Sequence, residues 1–333
     1  MSLLITALPA NHGDCFVFEE TEDKHTLVVD CGLKITFNNY LSKKLTSADS
    51  LILTHIDEDH ILGAIPMIQK HPQGFHIGKI YFNSANLLKY KNSSGDISVA
   101  QAEKVDQLID YKAINLEGLV AGQNLELTKD LHLMIISPTS KELDRLNESK
   151  FETTDENKTD ISINNAPKTV SELACLGDAF LNIHSDVVNA SSIAFILSYK
   201  TKKLLYLADA HPEVLADVLE SMGYSDLNKL SVDITKLSHH GSYKNISERL
   251  INLISCNTFW ISTNGGKSRA KHPDPATLAK LAAHIERNNQ KELFFWFNYP
   301  IETIECRNGP LMSEGDKKSF NVHFEEKNEV SWL

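Results

Sequence analysis

Thr54-His55-Ile56-Asp57-Glu58-Asp59-His60 follows directly on the apolar run Ser50-Leu51-Ile52-Leu53. The run has the length and character of a strand, and residues 61–71 carry helical apolar spacing, with Pro66 near the first turn. The seven residues therefore occupy a strand-to-helix turn. Four of them, His55, Asp57, Asp59 and His60, are potential metal ligands within six positions. Carboxylates packed this closely repel one another unless a cation lies between them. A solvated acidic turn would account for Asp57, Glu58 and Asp59 alone. The two flanking histidines shift the reading to a metal site, and histidine with carboxylate suits zinc, manganese or iron.

Two further runs end in related chemistry. Leu207-Ala208-Asp209-Ala210-His211 closes the strand-like KKLLYL, and an α/β protein places functional groups at the C-terminal ends of its strands. Taken alone, Asp209 reads as the N-cap of a helix starting at Pro212, and His211 as an exposed turn residue. Ser238-His239-His240-Gly241-Ser242 ends the strand-like DITKL. Adjacent histidines point in different directions, so one can ligate metal while the other faces substrate, and the glycine lets backbone approach a ligand closely.

In this order, His55-x-Asp57-x-Asp59-His60, Asp209 and His239-His240-Gly241-Ser242 resemble the metallo-β-lactamase superfamily, and within it the ComEC-like hydrolase group. Gly13-Asp14-Cys15 resembles that family's opening turn, Val29-Asp30-Cys31-Gly32 its following DxG, Asn189-Ala190-Ser191-Ser192 its Asn/Ser strand start, and His272-Pro273 a late element. The resemblance implies an α/β fold of αββα sandwich type with two divalent metal ions, Zn or Mn, at one edge of the sheets. It implies that His55 and Asp57 hold one metal and Asp59 and His60 the other, with Asp209 bridging. His240 is favoured as the ligand completing the second site and His239 as proton donor, although sequence leaves their order open. Asp57 stands where the superfamily usually has histidine, as in ComEC-like members. The usual third-motif histidine is absent; Asn189 is a weak substitute, and His184 reads as a surface or lid residue. A weaker first position would favour a harder ion such as Mn²⁺.

Two cations about 3.5–4 Å apart can share a hydroxide and offset charge on a hydrolytic transition state. Asp59 would orient that hydroxide, and His239 or His272 would protonate the leaving oxygen. Lys267, Arg269 and Lys271 follow Gly265-Gly266 in one loop, a pattern suited to phosphate oxygens, with Ser242, Tyr243 and Lys244 as further hydrogen-bonding groups. A solvated basic turn is the plainer reading of that loop. With the resemblance, the expectation is a phosphodiesterase or nuclease. Hydrolysis of esters, lactones or amides on the same fold, and a metal-bound non-catalytic module, stay open as alternatives. The aromatic run Phe294 to Phe297 reads as a core strand rather than a base-stacking platform.

Across 333 residues, 42% hydrophobic and 23% charged residues exclude collagen-like, fully disordered and membrane-spanning classes. Lys plus Arg total 33 against 44 Asp plus Glu, a net charge of −11, which disfavours a broad coat on long duplex. A short or single-stranded nucleic acid or a nucleotide fits better. Five scattered cysteines without a CxxC pair, and a start lacking a basic segment, read as a reduced cytoplasmic protein with no membrane partner. The chain reads as one domain over 1–333. Within it, 139–180 is a polar inserted loop or lid and 301–333 a C-terminal extension, whose last four residues dock as an edge strand or meet a partner.

Overall fold

The computed structural model describes residues 2–84, 97–148, 168–179, 186–266, 271–287 and 292–333. Its strands run in chain order as β1 Leu3–Ala7, β2 Phe16–Glu20, β3 Thr26–Val29, β4 Ser47–Leu53, β5 His76–Phe82 and β6 Asn115–Glu117, then β7 Asn124–Glu126, β8 Leu131–Ser137, β9 Ala194–Tyr199 and β10 Lys202–Tyr206. They continue as β11 Leu230–Ser231, β12 Ile234–Lys236, β13 Ile254–Ser255, β14 Thr258–Ile261, β15 Leu293–Phe297, β16 Val322–Glu326 and β17 Glu329–Trp332. One sheet has the order β17-β1-β2-β3-β4-β5-β6 and the other β16-β15-β14-β12-β10-β9-β8-β7, with β11 and β13 paired separately. Each large sheet is antiparallel on one side and parallel on the other; the parallel parts are β3 to β6 and β10 with β12 and β14 to β16.

Strand alternation dictates the layers. Phe16, Phe18, Leu27 and Val29 point between the sheets, where they meet Phe195, Tyr206, Trp260 and Trp296, whereas Val17 and Val28 point outward. Phe16 packs edge-on against both Tyr206 and Trp260, with ring centroids 5.4 Å apart in each pair. The outer face of the first sheet is covered by the helices Ala64–Gln69 and Ile97–Lys112, that of the second by Pro212–Ser221, Glu248–Asn252 and Pro275–Arg287. This is the α/β two-sheet sandwich expected, with the aromatic run of β15 in the core. No helix among the described residues is long and apolar enough to cross a membrane.

The stretch 139–180 is built into the fold at both ends. Ser140–Glu148 is a helix that buries Leu146. Thr169 and Glu172 form a reciprocal capping box that starts the helix Val170–Ala174, whose Val170 and Leu173 join the core under the second sheet. Residues 149–167 lie outside the described residues. Residues 301–333 complete both sheets, with β16 the last strand of the second and β17 the first of the other. β17 pairs antiparallel with β1 and buries Trp332 between the sheets. Trp332→Ala is expected to destabilise the chain by about 3 kcal/mol; a urea midpoint unchanged from wild type would contradict that anchoring role.

Candidate metal centre

The parallel strands of both sheets deliver their C-terminal ends to one edge. There β3 presents Asp30, β4 the turn 54–60, β10 Asp209 and β12 the pair His239-His240, while the β1–β2 connection brings Asp14. Backbone bonds tie these turns together across the sandwich: Cys31 N donates to His60 O at 2.9 Å, Ile193 N to Thr54 O at 2.9 Å and His239 N to Ala208 O at 2.9 Å. Gly13 is packed so closely that a Cβ there would lie 1.8 Å from Asp59 O, so only glycine fits. Asp30, Ala208, His239 and His240 all have left-handed backbones, with φ of 56°, 47°, 45° and 54°. Each such residue costs about 1–3 kcal/mol, strain that collects at functional sites.

Three histidines are oriented by their outer nitrogens. Thr54 spends both its N–H and its hydroxyl on Asp30, each at 2.8 Å. The hydroxyl oxygen, its proton already given away, accepts from His55 Nδ1 at 3.0 Å. His60 Nδ1 donates to Asp30 Oδ2 at 2.8 Å, and His240 Nδ1 to the carbonyl of Ser262 at 2.8 Å. With every Nδ1 engaged by an oxygen partner, each Nε2 is left facing inward, the arrangement a metal-ligating histidine needs.

The inward atoms converge on Asp209. His60 Nε2 lies 3.4 Å from Asp209 Oδ2, His240 Nε2 3.8 Å, His239 Nε2 3.9 Å and His55 Nε2 4.0 Å. Asp59 Oδ2 is 3.7 Å from His240 Nε2, and Asp57 Oδ2 is 3.5 Å from His55 Nε2. The Nε2 atoms of His55, His60 and His240 and Oδ1 of Asp209 are buried and make no hydrogen bond among the described residues. Two ligands on a tetrahedral cation with bonds near 2.1 Å stand roughly 3.4 Å apart, so these separations suit ions better than hydrogen bonds. The residues therefore fit a divalent metal. Three overlapping groups of candidate ligands emerge among the described residues: His55 with His60 and Asp209, Asp59 with His60 and His240, and Asp14 with Asp30 and His60. His60 is the shared member.

Electrostatics follow from this packing. Burial alone would raise the carboxyls of Asp59 and Asp209, but His60 foremost, with His240, outweighs it and holds both below the ordinary carboxylate range. Burial alone would lower His60 and His240. Asp209 foremost reverses this, aided by Asp30 at His60 and Asp14 at His240, and pushes His240 up to about 9.

The remaining expected residues fall into different places. His239 stands beside His272, ring centroids 5.4 Å apart. Burial lowers the pKa of His272 despite Asp274, 3.5 Å away. Asn189 Nδ2 donates to Asp186 Oδ1 at 2.9 Å, leaving its own Oδ1 buried without a hydrogen bond among the described residues. His211 is buried, not exposed, because its Nε2 bonds Asp186 Oδ2 at 2.8 Å; the helix Pro212–Ser221 takes His211 rather than Asp209 as its N-cap. Ser242 is buried and lines a cavity under β12, with its N–H donating to His239 O at 2.9 Å. Tyr243 donates its hydroxyl to the carbonyl of Leu176 at 2.9 Å instead of facing a substrate. Lys271 is half-buried next to His272, whereas Lys267, Arg269 and His184 lie outside the described residues. Sequence reading gave no role to Asp14, Asp30 or Lys236. The signal for Lys236 was a lysine inside the otherwise apolar end of DITKL.

Residues 8–117 match the family model described as Metallo-beta-lactamase superfamily, a span holding Asp14, Asp30 and the 54–60 turn. The match supports that superfamily and, with the donor set, a metal-dependent hydrolase. No curated protein matches the chain. Among solved structures the chain is similar to the metallo-beta-lactamase fold protein YhfI from Bacillus subtilis, at 12% identity over 100% of this chain and 99% of that one, with a TM-score of 0.45. It is also similar to unliganded yeast PDE1, at 11% identity over 99% of each chain and TM-score 0.47. Zn(2+)-bound PqqB from Methylobacterium extorquens gives 11% identity over 100% of each and TM-score 0.44. Similarity at that level assigns neither substrate nor metal to this chain.

With the His240 pKa pushed up to about 9, a cation binding at this imidazole below that pH would have to displace a proton. Mn²⁺ affinity is expected to climb as pH rises toward that value, with proton release seen as a calorimetric enthalpy that changes with the buffer. An affinity flat across that range would contradict the assignment.

Proposed function

We propose that the chain is a dinuclear phosphodiesterase of ComEC-like type, acting on short or single-stranded nucleic acid or on a nucleotide. The observation that carries the metal reading is the convergence of three inward-facing, unbonded Nε2 atoms on Asp209. His55, His60 and Asp209 would hold one cation and Asp59, His60 or Asp209 with His240 the other, with Asp57 and Asn189 at the margin. Two divalent cations, when bound, supply an activated water-derived nucleophile and offset charge on a phosphoryl group.

The chain's own residues supply the rest. Asp59, half-buried and held below the ordinary carboxylate range, would orient the nucleophile by accepting a hydrogen bond from it. His239, whose Nε2 stands 3.9 Å from Asp209 Oδ2, would donate a proton to the leaving oxygen. The sequence stretch from Lys267 to Lys271 leads directly to His272 and provides three cations for the phosphate. Asp59 and Asp209 among the ligands, with Asp57 at the margin, favour a hard ion such as Mn²⁺.

The test uses chain stripped of metal and reloaded with Mn²⁺ or Zn²⁺, offered bis-p-nitrophenyl phosphate and p-nitrophenyl acetate in parallel. Turnover of the diester is expected, falling more than about a hundredfold in Asp209→Ala. Turnover of the acetate alone would overturn the phosphodiester reading in favour of an ester-cleaving hydrolase. Undiminished turnover in Asp209→Ala would overturn the site.

A further inference from the structure

Lys236 is fully buried at the end of β12, beneath the metal-ligand cluster. A buried ammonium is tolerated only when it is paired and hydrogen-bonded. Lys236 meets that condition entirely with groups of the candidate centre. Its Nζ pairs with Asp14 Oδ2, stands 3.8 Å from Asp209 Oδ1, donates to the carbonyl of Ala208 at 3.2 Å and lies 5.4 Å from the centroid of the Tyr206 ring. Asp14 reaches the cluster on its other side, with Oδ1 3.5 Å from His240 Nδ1. The two oxygens of Asp209 are therefore divided between neighbours, Oδ1 toward Lys236 and Oδ2 toward the four histidines.

We infer that Lys236 is the resident counter-ion of this acidic centre, a positioning residue that holds Asp14 and Asp209 in place before divalent cations arrive and limits how tightly those cations bind. The inference rests on the metal reading above and adds a residue that carries neither a ligand atom nor a catalytic proton. Its physical content is a competition. A fixed positive charge stabilises the carboxylates when the site is metal-free, and it repels each cation that enters, so the metal-free chain folds while metal affinity stays moderate. Removing the charge acts on both sides by linkage. The metal-free state loses stability, and a cation that restores neutrality gains affinity by the same measure.

That sign separates a counter-ion from a packing residue, since a packing defect under a metal site loosens the ligands and weakens binding. Lys236→Met keeps the length of the side chain and deletes the charge. Wild type and variant, stripped with EDTA, are titrated with MnCl₂ in a calorimeter and melted with and without Mn²⁺. Lys236→Met is expected to melt at lower temperature when stripped, to gain more from Mn²⁺ than wild type, and to bind Mn²⁺ at least tenfold more tightly. Equal or weaker binding overturns the inference. If Lys236→Met folds only when Mn²⁺ is present, that also supports it. If it fails to fold in either condition, Asp14→Asn carries the test with the opposite sign. Leaving Lys236 over-charged should weaken Mn²⁺ binding at least tenfold, and an unchanged affinity overturns the inference. A wild type that binds no Mn²⁺ removes the metal reading itself, a result distinct from a wild type that binds while the variants match it.

Discussion

Three buried carboxylates, Asp14, Asp30 and Asp209, with Asp59 half-buried beside them, are crowded at one edge of the sandwich, and such a group is stable only with positive charge among it. Much of the surrounding structure follows from that constraint. His60 answers Asp30, Lys236 answers Asp14, and four histidine rings surround Asp209 Oδ2. Their carboxylate neighbours, Asp209 foremost, hold both His60 and His240 above the usual histidine range against the effect of burial. Cations and protons thus compete for the same nitrogens.

The backbone is bent to serve this arrangement. Left-handed residues stand at the ends of β3, β10 and β12, where Asp30, Ala208, His239 and His240 turn the chain sharply. The strain is held by the parallel strands behind it and by bonds such as Ser238 Oγ to Ala210 O at 2.8 Å and Asn245 Nδ2 to Asp209 O at 3.1 Å. Drawing ligands from both sheets makes the site depend on the sandwich being closed. The inter-sheet aromatics around Trp260 are therefore as much a condition for the site as the ligands are.

Much of this was legible in the sequence because it is written in local pattern. The alternation of β2 and β3, the turn after β4 and the paired histidines after β12 each announce themselves within a few residues. What was not legible depends on partners far along the chain. His211 looked exposed because Asp186, which buries it, lies 25 positions away. The place of His60 in all three candidate ligand groups depends on its anchoring by Asp30, 30 positions earlier, which no spacing rule reveals. Ser242 and Tyr243 follow a glycine in a motif and looked available to substrate, yet the turn carries them under the sheet. Lys236 carries no local signal of its role, which comes only from the approach of Asp14 from the other sheet.

The central claim is that divalent cations sit against Asp209 between nitrogens already aimed at them. Anomalous diffraction at the manganese edge, from crystals of the chain grown with Mn²⁺, tests it most directly. The account predicts two peaks flanking Asp209 Oδ2, one within about 2.5 Å of Nε2 of His55 or His60 and the other within that distance of His240 Nε2. Manganese peaks elsewhere on the molecule, with the three Nε2 atoms left uncoordinated, would contradict it.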